Sequence, residues 1–467
     1  DDNIINTKES EKNNLLKIIT MLKTLTKFYT KSEDINRAES HEQIKGRYNR
    51  LRWSVFISAT VGYSLFYVCR LSLSVIKKPL VDGGILNESE LGMVGSALFF
   101  TYAIGKLTNG FLADRSNVKR FMSTGLLLTA LINLVLGFET SFIVFTVLWG
   151  LSGWFQSMGA APSVVSLSRW FSNKERGTYY GVWSASHGLG KAITFIGVAF
   201  LVSVSGWQWG FWGAGLIGLV GAIIVAFFLH DSPESKGLPP IADYKNDHAP
   251  ISTKGKTVSS LQFEVLKNPY IWVLAIASAL MYVSRYGIES WGIYYLEAQK
   301  GYTTLEASSI VSVSAFSGIL GTMISGVISD KFFKSSRNIP VLIAGILNVT
   351  AISLFLFYPD GNAWMDTGSM LLFGFAIGIL ITFVGGLMAV DIASKKASGA
   401  ALGLVGIASY IGAAIQDVVS GILIEENHSL LNGLESYDFL SVSMFWLGAA
   451  ILSVICVLFV WNAKAKD

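Results

Sequence analysis

Two stretches decide how this chain folds: VGYSLFYVCRLSLSV (61–75) and VLAIASALMYVSRYGIESW (273–291). Each is apolar enough to lie in a bilayer, and each carries one arginine, Arg70 and Arg285. A guanidinium stays charged at physiological pH, and placing one at the centre of a membrane helix costs at least ~3 kcal/mol on insertion scales. A penalty of that size points to a use. The two arginines stand 215 residues apart. A second matched pair, Gly110 in GFLADRSNVKR and Gly326 in GVISDKFFKSSR, is 216 apart and brings Asp114 onto Asp330. A third match sets RGTYYGVWSASHGLG (176–190) on SGAALGLVGIASYIG (398–412) at an offset of 222, so that Gly177, Gly181 and Gly190 fall on Gly399, Gly403 and Gly412. Three matches at nearly constant offset mark one unit written twice.

Working outward, the 467 residues are 52% apolar and only 15% charged, with a mean hydropathy of +0.50. Soluble proteins carry about a quarter charged residues. Apolar runs that reach the ~20 residues needed to span a bilayer recur along the whole chain. We read twelve spans, at 52–75, 89–113, 120–138, 141–165, 177–203, 207–229, 270–297, 305–329, 338–358, 366–392, 398–424 and 437–461. The fold expected is an all-α membrane protein of twelve transmembrane helices in two pseudo-symmetric six-helix halves. Its parts are a tail (1–50), a first half (51–229), a central loop (230–269), a second half (270–462) and a short C-terminal tail (463–467). The first fifty residues are polar and show no cleavable signal peptide; LLKIITMLKTLTKFY within them fits either an amphipathic surface helix or a partly disordered tail. Cys69 and Cys456, the two cysteines, both lie in apolar runs, so neither a disulfide framework nor a metal site is expected. The net charge of +4 comes from loop lysines and arginines and forms no nucleic-acid patch.

Loop charges orient the chain. One set of connections carries Arg115, Lys119, Arg120, Lys174, Arg176, Lys331, Lys334, Arg337, Lys395 and Lys396; the opposite set is nearly free of Lys and Arg, with Lys77, Lys78 and Lys300 as its exceptions. The positive-inside rule puts the first set and both termini in the cytoplasm.

A duplicated six-helix unit suits a transporter, because two similar halves can rock about one midplane site that takes a matching residue from each. Arg70 and Arg285 are that pair. Tyr63 and Tyr67 precede Arg70 on or near its helical face, and Tyr282 precedes Arg285. A planar guanidinium fork beside phenols suits a multivalent oxyanion, and two forks match a dianion. Glu289 lies one turn from Arg285 and is its alternative partner. His187 can contact a phosphate oxygen or carry a proton. Lys191, four residues on, shares its face, and Lys106 lies inside the second span. Asp417 shares a face with Tyr410. Lys191–Asp417 and Arg285–Glu289 are the ion pairs these positions suggest. In the basic loops, Gly110 and Gly326 permit close helix approach, while Asp114, Arg115 and Arg120, echoed by Asp330 and Lys331, read as a latch between neighbouring helices that breaks in one conformation. No serine triad, metal cluster or phosphate-binding glycine loop occurs in a suitable setting, so no enzyme and no cofactor are expected. Without a nucleotide-binding domain, energy must come from gradients or exchange.

These residues resemble the organophosphate:phosphate antiporters of the major facilitator superfamily, over about residues 47–460. The marks are GYSLFYVCR, TYAIGKLTNGFLADRSN, WFQSMGAAP, WFSNKERGTYYGVWSASHGLG, DSPESKGLPPIADYKND, NPYIWVLA, YVSRYGIESW and KKASGAALG. The resemblance implies phosphate-clamping roles for Arg70 and Arg285, substrate contacts for Lys106 and His187, and cavity-lining roles for Tyr63, Tyr67, Tyr282, Trp183 and Tyr410. It implies a monomer in the inner membrane that exchanges a sugar phosphate or glycerol 3-phosphate for inorganic phosphate. The chain also departs from the family pattern. Leu71 stands where lysine is usual, Ser290 and Ala315 where acids are usual, and Ile379, Leu380 and Ile381 replace a tyrosine-glycine-proline turn. Lys191 and Asp417 stand where the glycerol-3-phosphate branch has small residues. A rewired interior charge network follows. It leaves two further readings open: a sugar-phosphate receptor that does not transport, and a carrier of another organic anion.

Overall fold

The computed structural model describes residues 20, 23, 24, 26–35, 41–247, 258–333, 337–359, 361–393, 397–431, 434–461 and 463. Lys334, Lys395, Lys396, most of the segment read as a surface helix, most of the C-terminal tail and the side chain of Asp330 lie outside the described residues. Among the described residues, twelve helices are long and apolar enough to cross a membrane: α1 (Glu42–Asp82), α2 (Glu88–Arg115), α3 (Val118–Leu136), α4 (Phe142–Trp170), α5 (Lys174–Ser205), α6 (Gln208–Phe228), α7 (Pro269–Lys300), α8 (Thr304–Ser329), α9 (Asn338–Phe357), α10 (Ala363–Ile392), α11 (Ser398–Glu426) and α12 (Leu440–Phe459). They overlap the twelve expected spans one for one.

Side-chain chemistry sets the helix ends. Asn87 and Glu90 form a reciprocal capping box at the start of α2, and Thr303 and Glu306 form another at α8. Asn117 caps α3, and Asn268 caps α7 with Pro269 in its first turn. Gly301, at φ +71°, ends α7 in the left-handed region that favours glycine.

Three features go beyond the expected spans. Helix α1 begins at Glu42 and runs to Asp82, well beyond both ends of the apolar stretch that announced it. Its extra turns are held by the start of the central loop: Arg47 Nη2 donates to the Lys236 carbonyl at 2.6 Å, and Tyr48 stacks on Tyr244 at 4.2 Å. Residues 230–247, the described start of the central loop, therefore pack on the first half. Finally, two short strands, β1 (His428–Leu431) and β2 (Leu434–Tyr437), pair antiparallel in the α11–α12 connection of this otherwise all-α fold.

The halves meet through small residues, as membrane helices do where backbones must approach closely. A Cβ on Gly95 of α2 would stand 1.9 Å from Asp417 Oδ2 of α11, and one on Gly421 would stand 2.3 Å from the Glu88 carbonyl. A Cβ on Gly188 of α5 would meet Ile319 of α8 at 2.5 Å. Polar contacts stitch the same end of the bundle. The Tyr294 hydroxyl donates to Glu88 at 2.7 Å, the Ser89 amide to Glu425 at 3.2 Å, and Lys78 pairs with Glu435 at 2.9 Å. Toward the other end the glycines are less crowded: a Cβ on Gly110, Gly177, Gly181, Gly326, Gly399 or Gly403 would meet nothing within 4 Å beyond its chain neighbours and its own helix backbone.

Candidate functional site

Arg70 projects from α1 into the middle of the bundle and is 3% exposed. Its Nε donates to Gln156 Oε1 of α4 at 2.7 Å. Its two terminal nitrogens, Nη1 and Nη2, are buried and have no hydrogen-bond partner. Tyr67 and Tyr102 hold the guanidinium by their faces, with ring centroids 4.7 and 4.2 Å from Cζ. A buried cation with two idle donors costs free energy unless an anion completes it.

Arg285, at the matching place in the second half, is equally buried. Tyr282 and Tyr286 flank it at 5.3 and 4.9 Å. Its Nε donates to Glu289 Oε1 at 3.0 Å, and the same oxygen takes Lys191 of α5 at 2.8 Å. Glu289 thus serves two cations, one from each half.

Aromatic rings join the two arginines. Trp183 stacks on Tyr63 at 4.9 Å, Tyr63 meets Tyr67 at 5.6 Å, and His187 lies 5.7 Å from Tyr67. Across the interface, Tyr102 meets Tyr410 at 4.5 Å and Tyr410 meets Tyr282 at 5.5 Å. Lys106 is exposed and holds its Nζ 5.4 Å from the Tyr410 ring centroid. The nine residues singled out in the sequence as substrate contacts therefore belong to one connected cluster at the meeting of the halves. Tyr102, Tyr286, Phe99 and Gln156 belong to it as well and were not singled out. Tyr102 had a usable signal, being one helical turn before Lys106; Tyr286 simply follows Arg285.

The interior ion pairs differ from those expected. Arg285–Glu289 forms, whereas Lys191–Asp417 does not. Lys191 faces Glu289 on α7, and Asp417 on α11 faces Lys77 on α1 at 3.4 Å. Asp417 Oδ1 also accepts Ser290 Oγ and Trp291 Nε1, each at 2.7 Å, and Lys77 Nζ donates to Ser290 Oγ at 2.9 Å. The lysine absent at Leu71 thus returns at Lys77, and the acid absent at Ser290 arrives from Asp417 through the Ser290 hydroxyl. Lys77 and Lys300 also cease to be loop charges: Lys300 is buried on Asp366 at 2.7 Å.

In the basic-loop motifs, the bonds seen stay within one half. Arg169 pairs with Asp231 at 2.6 Å and donates to the Asp114 and Ser116 carbonyls. Asp231 also caps the Val118 amide at 3.0 Å. Arg120 donates to the Phe28 carbonyl at 2.8 Å. Arg115 and Lys331 are exposed, and Arg337 reaches Ser329 at 2.6 Å. Arg169 and Asp231, neither singled out in the sequence, organise the first motif in place of the Asp114 side chain.

Twelve apolar helices around a pair of buried, aromatic-lined arginines define a polytopic membrane protein with a cationic centre. The chain belongs to the Major Facilitator Superfamily, whose family model matches residues 54–416. It is similar to a probable hexose phosphate transport protein of Chlamydia pneumoniae, with 31% identity covering 95% of this chain and 98% of that one. It is also similar to the membrane sensor protein UhpC of Salmonella typhimurium, at 32% identity covering 81% and 86%. A third relative is the glycerol-3-phosphate transporter of Bacillus subtilis, at 30% covering 90% and 94%. Among solved structures, a mutant of the nucleoside transporter NupG shares the fold with a TM-score of 0.69 at 14% identity, covering 88% of this chain and 100% of that one.

Proposed function

We propose that this chain is an inner-membrane carrier that exchanges a phosphorylated metabolite, a sugar phosphate or glycerol 3-phosphate, for inorganic phosphate by alternating access. The observation that carries the reading is Arg70, whose two terminal guanidinium nitrogens are buried and unpartnered inside a tyrosine-lined chamber. Such a fork binds a phosphoryl group bidentately. Arg285 closes on the same group from the other half, with Lys106 and His187 as further contacts and Trp183, Tyr63 and Tyr410 as walls. Relatives named as hexose phosphate and glycerol-3-phosphate transporters support the substrate class. In the positive-inside orientation both termini are cytoplasmic and the chamber opens to the cytoplasm, the outer end being closed by Glu88, Lys78 and their partners. A bound dianion lets the arginines approach and the halves rock, and the phosphate gradient sets the direction. The working unit is a monomer and performs no chemistry on its cargo.

A second reading is a receptor for the same ligands. The similarity to UhpC and the displaced charge network support it. Vesicles reconstituted with the purified protein and loaded with phosphate separate the two. Exchange of labelled phosphate, inhibited by external sugar phosphates, supports the carrier. Saturable binding without flux supports the receptor, and an absence of phosphate competition in both assays sinks both readings.

A further inference from the structure

The two matched arginines are held by different chemistry. The partner of Arg70 Nε is the Gln156 amide oxygen, at 2.7 Å. Gln156 is fully buried, and its own Nε2 donates to Ser152 Oγ at 3.0 Å, one turn back along α4. An amide tied at both ends fixes the guanidinium plane and adds no charge, so the positive charge of Arg70 and its two free nitrogens stay available. The partner of Arg285 Nε is the Glu289 carboxylate, at 3.0 Å. A carboxylate orients the group equally well but also neutralises it.

We infer that Gln156 is the positioning residue that makes Arg70 the first anion-binding arginine in this conformation, and that Glu289 is an internal counter-ion which a bound anion displaces from Arg285. This rests on the reading of the chamber as a phosphate site. Glu289 need not be stranded in the exchange, because the oxygen that Arg285 gives up is already bonded to Lys191 at 2.8 Å. Binding thus proceeds from the first half to the second, and the second contact is the one that draws α7 onto the ligand.

The test sets charge against shape in the full-length protein in nanodiscs, with inorganic phosphate as probe. Q156E keeps the shape and the acceptor but adds a charge; Q156L removes the bond and leaves the charge of Arg70 open. Counter-charge control predicts that Q156E weakens phosphate binding by about tenfold or more and that Q156L weakens it less. A purely structural role predicts the reverse order, which would overturn the proposal. E289Q should tighten binding, and adding E289Q to Q156E should restore much of the loss; a double variant as weak as Q156E alone also overturns it. A readout that needs no ligand separates this from the functional reading. Phenylglyoxal, mapped by mass spectrometry, should modify Arg70 about tenfold faster than Arg285 in the wild type, and the preference should reverse in Q156E/E289Q. Equal rates sink the inference whatever the cargo is. If the wild type fails to bind phosphate while the reactivity pattern holds, only the phosphate reading falls.

Discussion

Arg70 shows what a single residue contributes that its nearest substitute does not. Lysine preserves the charge but offers a point donor in place of a planar fork, and it cannot also hold Gln156 through a separate Nε. Arg70→Lys should therefore reduce phosphate exchange by about a hundredfold or more, as about 3 kcal/mol of bidentate, charge-assisted bonding is lost; labelled-phosphate flux in vesicles within a few-fold of wild type would refute the clamp. The buried pair Lys77–Asp417 makes a second test. Lys77→Met leaves Asp417 with only Ser290 and Trp291 as donors, and removing one partner of a buried pair costs ~3–5 kcal/mol. Thermal unfolding in detergent should show Lys77→Met/Asp417→Leu to be more stable than Lys77→Met alone; a further additive loss would show that the two charges do not balance each other. Both arginines were legible in the sequence because a charge inside an apolar run stands out, and the tyrosines were legible because they share a helical face. The partners were not. Periodicity fixes which residues share a face of one helix, but not which neighbouring helix that face meets. This is why Lys191 could be set opposite Asp417 when it meets Glu289. Gln156 carried no warning, since one amide in an apolar helix gains its meaning only when α4 turns it toward Arg70.

Among the elements, α2 and α11 carry the tightest constraint. Gly92 and Gly95 on one helix and Gly421 on the other let the backbones approach until a Cβ at Gly95 would stand 1.9 Å from the Asp417 carboxylate. No rotamer of a larger side chain relieves an overlap at Cβ itself, so either the helices part or Asp417 leaves Lys77, Ser290 and Trp291. Gly95→Val should therefore weaken this closed end. With a single cysteine in place of Ser89, labelling by a membrane-impermeant maleimide from outside should rise several-fold over the Gly95 parent; unchanged labelling would mean that the close approach does not hold the gate. The number of helices and their order followed from apolar length, whereas their ends did not. Helix α1 continues through Lys77 to Asp82 because Lys77 finds buried Asp417 and Lys78 finds Asp82 and Glu435 nearer the surface, whereas hydropathy counts a charge as an end. The hairpin β1–β2 was hidden for a related reason. Its residues, His428–Leu431 and Leu434–Tyr437, are too few to show a period and follow directly on α11.

The whole molecule is asymmetric between its two ends, and that asymmetry gives a direction to test. At the closed end Glu88 accepts the Tyr294 hydroxyl at 2.7 Å and lies 3.2 Å from His428 Nδ1, while Lys78 bridges to Glu435 of the hairpin at 2.9 Å. At the other end the described bonds of the basic-loop motifs remain inside one half, such as Arg169–Asp231 at 2.6 Å. A rocking carrier needs the two gates to be closely balanced, so each contact at the closed end biases the equilibrium by its own free energy and no more. Glu435→Gln removes the charge from one exposed contact, worth under about 1 kcal/mol, and should shift the ratio of closed to open outer gate by less than about fivefold. Glu88→Leu leaves the Tyr294 hydroxyl with only the Tyr437 hydroxyl at 3.2 Å as acceptor and removes the carboxylate beside His428, and it should shift the ratio by about fivefold to a hundredfold, corresponding to about 1–3 kcal/mol. Spin labels at the outer ends of α1 and α7 would report both shifts as a growing long-distance population. The pH dependence separates the contacts further. The Lys78 ammonium, hydrogen-bonded to Glu435, holds that carboxyl below its ordinary value of 4.5. A depressed carboxylate contributes fully above its ordinary value and fades only as pH falls through the lowered one. The difference between wild type and Glu435→Gln should therefore be the same at pH 8 and pH 6, and a difference that disappears by pH 6 would mean that Lys78 does not hold Glu435 in the closed gate.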